Sequence, residues 1–357
     1  MRHLATIRKI GYTEPIEGKD RIVLAHVDGW QVIVQKDQFR DGDLCVYCEI
    51  DSVLPQTDWT AFLEKRGYRI RTMKMGGVRS EGIVFPLSIL PNPSKSYKLG
   101  DDVTEVLGIT KYDPEADSQK KPNTVKLPKR KFPKWLTRYE WFRRLITWLY
   151  TDRRDRAFPS FVSKTDEERI QNIPYILTQE RYWYPSEKVD GTSGTFAIDE
   201  KNNIYVCSRN RRLYRDDDPN HYWAMYDAYD LGNVLKGIKA TYRAKTAVVQ
   251  GEIVGPGIQK NKYGLKEKHL KVFNIITDGK RWNNNEVMGF CGENKLETVP
   301  YLAPVSLSEF TVDEVLKLAH GQSQLADTLR EGLVFRDMIG KKSFKAVDPE
   351  FLMKWKE

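Results

Sequence analysis

Glu187-Lys188-Val189-Asp190-Gly191-Thr192 is the stretch on which the reading of this chain turns. It follows Tyr182-Trp-Tyr-Pro-Ser186 and precedes Thr195-Phe-Ala-Ile198, so it is expected to connect two strands. On extended backbone, residues two apart share a face, which would turn Lys188 and Asp190 the same way. Gly191 leaves room for a ligand to approach the backbone. A lysine attacks phosphorus only when neutral, so its ordinary pKa of about 10.4 must be brought down by nearby cations or a metal. The pattern Lys-x-Asp-Gly-Ser/Thr arises by chance in roughly one chain of this size in a hundred. By itself it also reads as a surface hairpin with a Val-Asp-Gly turn, so its surroundings decide.

Downstream, further segments follow in a fixed order. Ser208-Arg209-Asn210 ends the strand-like run Ile204-Tyr-Val-Cys207. Gly251-Glu252-Ile-Val-Gly-Pro-Gly-Ile-Gln259 comes next, then Val272-Phe273-Asn-Ile275, then Glu331-Gly332-Leu-Val334, and last Ser343-Phe344-Lys345. Each alone has an ordinary reading: Arg209 as a strand-end charge, Phe273 as core, Glu331 as a surface acid, Lys345 on a solvated face. Ala247–Val254, Leu270–Ile276 and Gly332–Phe335 read as buried strands. Thr311-Val-Asp-Glu314 is a capping box opening a helix to about Ala319, and Asp348-Pro349 starts the last helix. Residues 161–357 are thus expected to form an α+β domain.

Upstream, residues 1–110 read as all-β. Ile22-Val-Leu-Ala-His-Val27 and Trp30-Gln-Val-Ile-Val34 flank Asp28-Gly29, and Asp41-Gly42-Asp43 precedes Leu44-Cys-Val-Tyr-Cys-Glu-Ile50. Asp-Gly between β-rich runs is a strong hairpin signal, and short strands at this spacing suggest a small barrel of the OB type, with an SH3-like barrel equally compatible with periodicity alone. Cys45 and Cys48 have metal-like spacing, but three residues apart on a strand they point to opposite faces, so free, reduced core cysteines are expected.

Residues 111–160 form a basic linker. Of the net charge of +9, this stretch holds fourteen Lys and Arg against six Asp and Glu, a surplus of eight. Such concentration suits a phosphate backbone, although a solvated linker reads the same way. Within it Trp135, Tyr139, Phe142, Leu145, Ile146 and Leu149 recur at helical spacing, giving a basic amphipathic helix whose aromatic stripe is expected to pack on a domain. No apolar run spans a bilayer, and Met1-Arg-His-Leu-Ala-Thr6 lacks the apolar core of a secretory signal. The expected setting is intracellular, most simply cytoplasmic.

Taken in one order, these segments resemble the lysyl-nucleotidyltransferase superfamily of ligases and capping enzymes. The likeness is closer to one branch. Phe161-Val-Ser-Lys-Thr-Asp-Glu-Glu-Arg-Ile-Gln-Asn-Ile-Pro174 looks like the lead-in of RNA ligases. Leu4-Ala-Thr-Ile7, Pro15-Ile-Glu-Gly-Lys-Asp-Arg-Ile22, Gly29-Trp30, Gly42-Asp43, Glu49-Ile-Asp-Ser-Val-Leu-Pro55 and Arg69-Ile-Arg-Thr72 look like the RNA ligases that place an OB domain before the nucleotidyltransferase domain. The resemblance covers nearly all of the chain except the basic linker.

It implies an N-terminal OB-type barrel followed by a ligase-type nucleotidyltransferase domain of antiparallel sheets and helices, unrelated to ATP-grasp folds. It also implies an ATP-dependent RNA ligase, forming phosphoric ester bonds through lysyl-AMP and RNA-adenylate intermediates with Mg²⁺ or Mn²⁺. Lys188 would attack the α-phosphate of ATP, Asp190 would orient or activate it, and Lys345 would hold the α-phosphate. Arg209 resembles a nucleotide or RNA phosphate contact, Glu252 the acid on a ribose hydroxyl, and Phe273 the aromatic that stacks on adenine. Glu331 resembles the acid near the catalytic metal, with Glu252 as the second candidate ligand. Glu187, Lys164, Arg169 and Gln171 are further candidate nucleotide contacts. Many relatives place two lysines at alternate positions near the C-terminus; here Ser343 stands at the alternate place before Lys345, so that either Lys341 or Lys342, the latter carried forward as the candidate, would supply the second cation, or the match is offset.

The implied partner is RNA or an RNA-containing nicked duplex, with RNA on the 3′-OH side, no membrane, and the chain acting as a monomer. The barrel and linker are expected to hold nucleic acid while the C-terminal domain performs the chemistry. A nick-sealing DNA ligase or a capping enzyme is the enzymatic alternative. Those usually carry an OB domain after the final lysine motif, and this chain stops twelve residues after Lys345. A non-catalytic RNA-binding protein is the alternative from another class, disfavoured by Lys188, Asp190, Glu252, Glu331 and Lys345 occurring together.

Overall fold

The computed structural model describes residues 3–91, 97–112, 139–142, 144–145, 154–217 and 220–355. In the N-terminal part the short β-prone runs become β1 (Ala5–Lys9), β2 (Tyr12–Ile16), β3 (Lys19–Val27), β4 (Trp30–Gln35), β5 (Leu44–Cys48), β6 (Ser52–Val53), β7 (Met73–Met75), β8 (Val78–Ser80), β9 (Ile83–Pro86) and β10 (Thr110–Lys111). They pair as β1-β5-β9, β2-β3-β4, β7-β8 and β6-β10. The β3–β4 hairpin turns at Asp28-Gly29, with Val27 opposite Trp30 and Asp28 at φ 51°. β5 is buried on both faces. Cys45 and Tyr47 enter a cluster with Trp30 and Val34, whereas Val46 and Cys48 enter another with Leu4 and Ile7. The two thiols therefore diverge, as strand alternation requires, and all four cysteines are free and buried. The second cluster is completed by Val347 and Leu352 from the far end of the chain.

The C-terminal part contains β11 (Tyr184–Glu187), β12 (Thr192–Ile198), β13 (Ile204–Cys207), β14 (Arg212–Leu213), α1 (His221–Ala228), α2 (Leu231–Tyr242), β15 (Ala247–Val254), β16 (His269–Thr277) and β17 (Lys280–Arg281). α3 (Asn284–Glu293), α4 (Val312–Ala319), β18 (Gly332–Arg336), β19 (Ser343–Val347) and α5 (Pro349–Trp355) follow. A six-stranded sheet runs β14-β13-β12-β15-β16-β17 and a three-stranded sheet runs β11-β18-β19. One face of the larger sheet carries Phe196, Ile198, Val249, Val272 and Ile275 against α1, α2 and α3. One face of the smaller sheet carries Leu333, Phe335, Phe344 and Ala346 against Val315, Leu316 and Ala319 of α4. The capping box at Thr311 is formed, with Glu314 N donating to Thr311 Oγ1 at 3.3 Å and Thr311 N to Glu314 Oε2 at 2.8 Å. Glu350 N donates to Asp348 Oδ1 at 2.9 Å at the start of α5.

Of the helix expected over Trp135–Tyr150, Glu140 to Phe142, Arg144 and Leu145 are described and helical. Glu140 and Arg144 pair at 2.8 Å, four residues apart. Of its apolar stripe Tyr139 and Leu145 are exposed and Phe142 is half-buried; Trp135, Ile146 and Leu149 lie outside the described residues. Among the described residues, no helix is long and apolar enough to cross a membrane.

Candidate active site

Because both sheets bury one face against helices, alternation turns their other faces toward each other. Between them lies a cleft of about 650 Å³. The smaller sheet contributes Ser186, Val334, Arg336 and Lys345; Ser186 and Lys345 both stand opposite Val334 in the register. The larger sheet contributes Ser193, Glu252 and Phe273, with Ser193 opposite Glu252. Thr165, Asp166, Glu167 and Arg169 of the lead-in form one wall, and the barrel supplies Asp51, Arg69, Arg71, Lys111 and Tyr112 at the rim.

Lys188 is the first residue past β11. Its backbone N donates to Gly332 O at 2.9 Å, and its Nζ donates to Glu331 Oε2 at 2.6 Å. Glu331 is 3% exposed. It is fixed by the following glycine: Gly332 has φ 147°, and a Cβ there would stand 2.1 Å from Ala346 O, so β19 could not pair so closely with any other residue in that place. Glu252 Oε1 accepts from Gly191 N at 3.0 Å. Burial pushes the Glu252 carboxyl up, Lys188 opposes this, and the anions of Glu331 and Asp190 add to it, leaving its pKa at about 8. Lys345 is 8% exposed, and its backbone N donates to Glu168 O at 2.7 Å, which ties β19 to the lead-in.

Two expectations about the nucleophile segment need correction. Residues 188–191 are not strand, so alternation does not apply to them. Asp190 instead forms an ion pair with Lys262, and both side chains are almost wholly buried. Gly191 does not leave a space for ligand: a Cβ there would lie 2.3 Å from Ile253 O, so the glycine serves the close approach of β15.

The remaining candidates divide. Arg209 lines the cleft and forms an ion pair with Asp166. Asp166 also pairs with Lys111 of the barrel at 3.1 Å. Burial alone would raise the Asp166 carboxyl, but Arg209, Lys111 and Lys345 hold it well below the usual carboxylate range. Phe273 lines the cleft beside Val189 and Val299, and Arg169 lines it with its guanidinium 5.7 Å from the Trp30 ring. Glu187 borders the cleft, but its carboxylate accepts from Ser323 Oγ at 2.5 Å and Gln324 N at 2.9 Å; burial pushes it up, and these bonds oppose. Lys164 is exposed and outside the cleft, Gln171 is fully buried outside it, and Lys342 pairs with Glu180 at 2.5 Å away from it.

Sequence reasoning missed Lys262, Asp166, Lys111 and Arg336. Arg336 follows Val334 on the same strand face, is 3% exposed, and donates to Phe273 O at 2.7 Å. With Lys345 and Arg169 it is one of three buried cations of the cleft wall, where a second lysine at 341 or 342 was expected. The alternation from Val334 was the available signal.

Glu331, buried, and Glu252, half-buried, place two hard-oxygen carboxyl groups in the cleft beside Lys188, a donor set that fits a divalent cation. Among the described residues no group of three or more Asp, Glu, His or Cys could hold a metal unaided. That suits an ion such as Mg²⁺ or Mn²⁺, which keeps waters and shares substrate phosphate oxygens.

Residues 181–356 match a family model described as RNA ligase, and residues 4–87 match one described as an OB-fold domain. No curated protein matches. Solved structures of a Naegleria gruberi RNA ligase are similar along the whole length. The form with PPi is 31% identical with a TM-score of 0.81, covering 100% of this chain and 99% of that one. A glutamate-to-alanine variant with ATP and Mn is 30% identical with a TM-score of 0.81, covering 100% of each. Another such variant, with AMP and Mn, is 31% identical with a TM-score of 0.80, covering 99% of each.

Proposed function

The chain belongs to the RNA ligase family, and from that premise we propose that it seals 3′-OH/5′-phosphate breaks in duplexes, with RNA on the 3′-OH side. It is an ATP-dependent RNA ligase that uses a divalent metal. The carrying observation is Lys188 Nζ, partly exposed and held 2.6 Å from Glu331, in a cleft also lined by Arg209, Arg336 and Lys345.

In this reading Lys188 Nζ, once deprotonated, attacks the α-phosphorus of ATP. The N–P bond forms as the bond to the bridging oxygen breaks and pyrophosphate leaves. Phe273 and Val334, both on the cleft wall, receive the base. Lys345 holds the α-phosphate, and Glu252 meets the ribose or the metal's waters. A bound divalent cation supplies charge neutralisation at the phosphate oxygens. AMP then passes from Lys188 to the RNA 5′-phosphate, and attack by the 3′-OH on that phosphorus releases AMP. The chain's own contribution is positioning and charge, which is what phosphoryl transfer needs most.

The barrel cations Arg69, Arg71 and Lys111 on the rim support a nucleic-acid path over the cleft. An A-form duplex displays its 2′-hydroxyls in a shallow groove, so a preference for RNA would be read there and not on base edges. Incubation with labelled ATP and Mg²⁺ or Mn²⁺, followed by denaturation, should leave label on Lys188. Lys188→Ala should take none, and Lys188→Arg none either, since guanidinium stays protonated. Label on the Lys188→Ala protein would remove the nucleophile assignment. A panel of nicked duplexes with RNA or DNA on each side then tests the strand preference, and equal sealing of all-DNA nicks would overturn it.

A further inference from the structure

The partner of Asp190 comes from a loop that the reading above does not use. Residues 188–191 are held at successive points: Lys188 N on Gly332 O, Asp190 N on the Tyr263 hydroxyl at 2.8 Å, and Gly191 N on Glu252. The Asp190 side chain, 5% exposed, forms an ion pair with Lys262, whose own side chain is 3% exposed. The Lys262 ammonium also stands 4.7 Å from the Phe351 ring and 5.7 Å from the Trp355 ring, both on α5. Its loop neighbours Lys260 and Lys266 are exposed, as lysines ordinarily are. Burying one of them needs a compensating anion.

The backbone leading to Lys262 is unusual too. Gln259, Lys260 and Asn261 all have positive φ, at 44°, 60° and 47°. Non-glycine residues in that region are strained, and such strain persists where the surroundings over-determine it. Here it turns the chain inward so that Lys262 and Tyr263 grip Asp190 from two sides.

We infer that Lys262 is a positioning residue for lysine adenylation: clamped between Asp190 and the aromatic face of α5, it fixes the loop that presents Lys188. The inference rests on the proposed role of Lys188 as nucleophile. It places Asp190 as an anchor of that loop, with α5 as the far wall of the clamp.

The test uses the full chain and two reactions. Label transfer from ATP requires attack by Lys188, whereas sealing of a pre-adenylated nick bypasses it. Lys262→Met should slow label transfer at saturating ATP about tenfold or more, with KM for ATP and sealing of the pre-adenylated nick within about threefold of the parent. Lys262→Arg, which keeps the charge, should restore most of the rate. Parallel loss of both reactions with a lowered Tm would make Lys262 merely structural and overturn the inference, as would unchanged label transfer. Should Lys262→Met not fold, Phe351→Leu removes the nearer aromatic wall, outside the cleft, while leaving the ion pair, and is expected to slow label transfer about threefold without affecting the pre-adenylated nick; an equal effect on both again overturns it. A parent protein that takes no label on Lys188 sinks the proposed function instead, a separate result.

Discussion

Among the described residues the barrel buries two charged residues, Glu49 and Glu81, while the catalytic half buries eight, among them Glu187, Asp190, Glu331, Arg336 and Lys345, and the side chain of Lys262 besides. The barrel's two both lie where it meets the catalytic half. Glu49 accepts from Asn172, which in turn accepts from the Trp30 indole at 2.9 Å and donates to Glu168 at 2.8 Å. Burial raises the Glu81 carboxyl, while the charges of Arg79 and Arg169 pull it back. Buried charge is costly unless matched, so its distribution marks where the molecule does something besides fold. In the barrel that place is the seam, and the seam holds the lead-in whose Glu168 anchors Lys345. The barrel thus touches, through Asn172 and Glu168, the segment that positions Lys345.

That contrast can be broken experimentally, and the harshest test is removal of the barrel. A chain beginning near Phe158 should lose label transfer from ATP, because Val347 and Leu352 would lose their packing partners and the lead-in its tether. Label transfer at the parent rate would return the barrel to the status of an attachment. Glu331→Ala should cut label transfer about a hundredfold, the usual cost of deleting a preorganised charge at a reacting centre. Metal dependence measured alongside would change most for this variant if Glu331 organises the cation, and unchanged sealing would remove it from the site. Asn172→Ala leaves Glu49 and Trp30 without their seam contact. A loss of about 1–3 kcal/mol in stability is expected, together with a several-fold fall in label transfer, read by denaturant unfolding and initial rates. Phe273→Leu should raise KM for ATP by about threefold to tenfold with little change in the rate at saturation, as stacking alone is lost. The smallest effect concerns the cysteines: burial pushes the Cys45, Cys207 and Cys291 thiols up to about 12 and Cys48 higher still, so none should react with a thiol reagent at neutral pH until the protein unfolds.

The sequence disclosed what is local. The Asp28-Gly29 hairpin, the Thr311 capping box, the Asp348-Pro349 helix start and the alternation of β18 are each encoded within a few residues. The ordered motifs likewise led to Lys188, Glu252, Phe273, Glu331 and Lys345, all of which line one cleft. What was not legible depends on pairing across long stretches of chain. Lys262 sits among exposed lysines of a glycine-bearing loop, and nothing nearby marks it as the one that meets Asp190. Lys111 reads as the first residue of a basic linker, although its strand pairs with β6 and its ammonium reaches Asp166. The shared facing expected of Lys188 and Asp190 failed because the strand stops at Glu187, and a boundary error of one residue reverses such an inference.

The cluster that joins Leu4 and Ile7 to Val347 and Leu352 has a consequence for how the protein is made. A chain emerging from the ribosome presents its N-terminal strands first, and a domain ordinarily folds as soon as its own residues are out. This barrel lacks part of its core until residues near 350 have been synthesised. Until then it exposes an apolar face, and closing that face brings together residues separated by more than three hundred positions, a slow step by loop-closure entropy. The same event docks α5 behind Lys262. Assembly of the nucleophile loop and completion of the barrel therefore both wait on residues near 350, so that a chain cut short of α5 has neither.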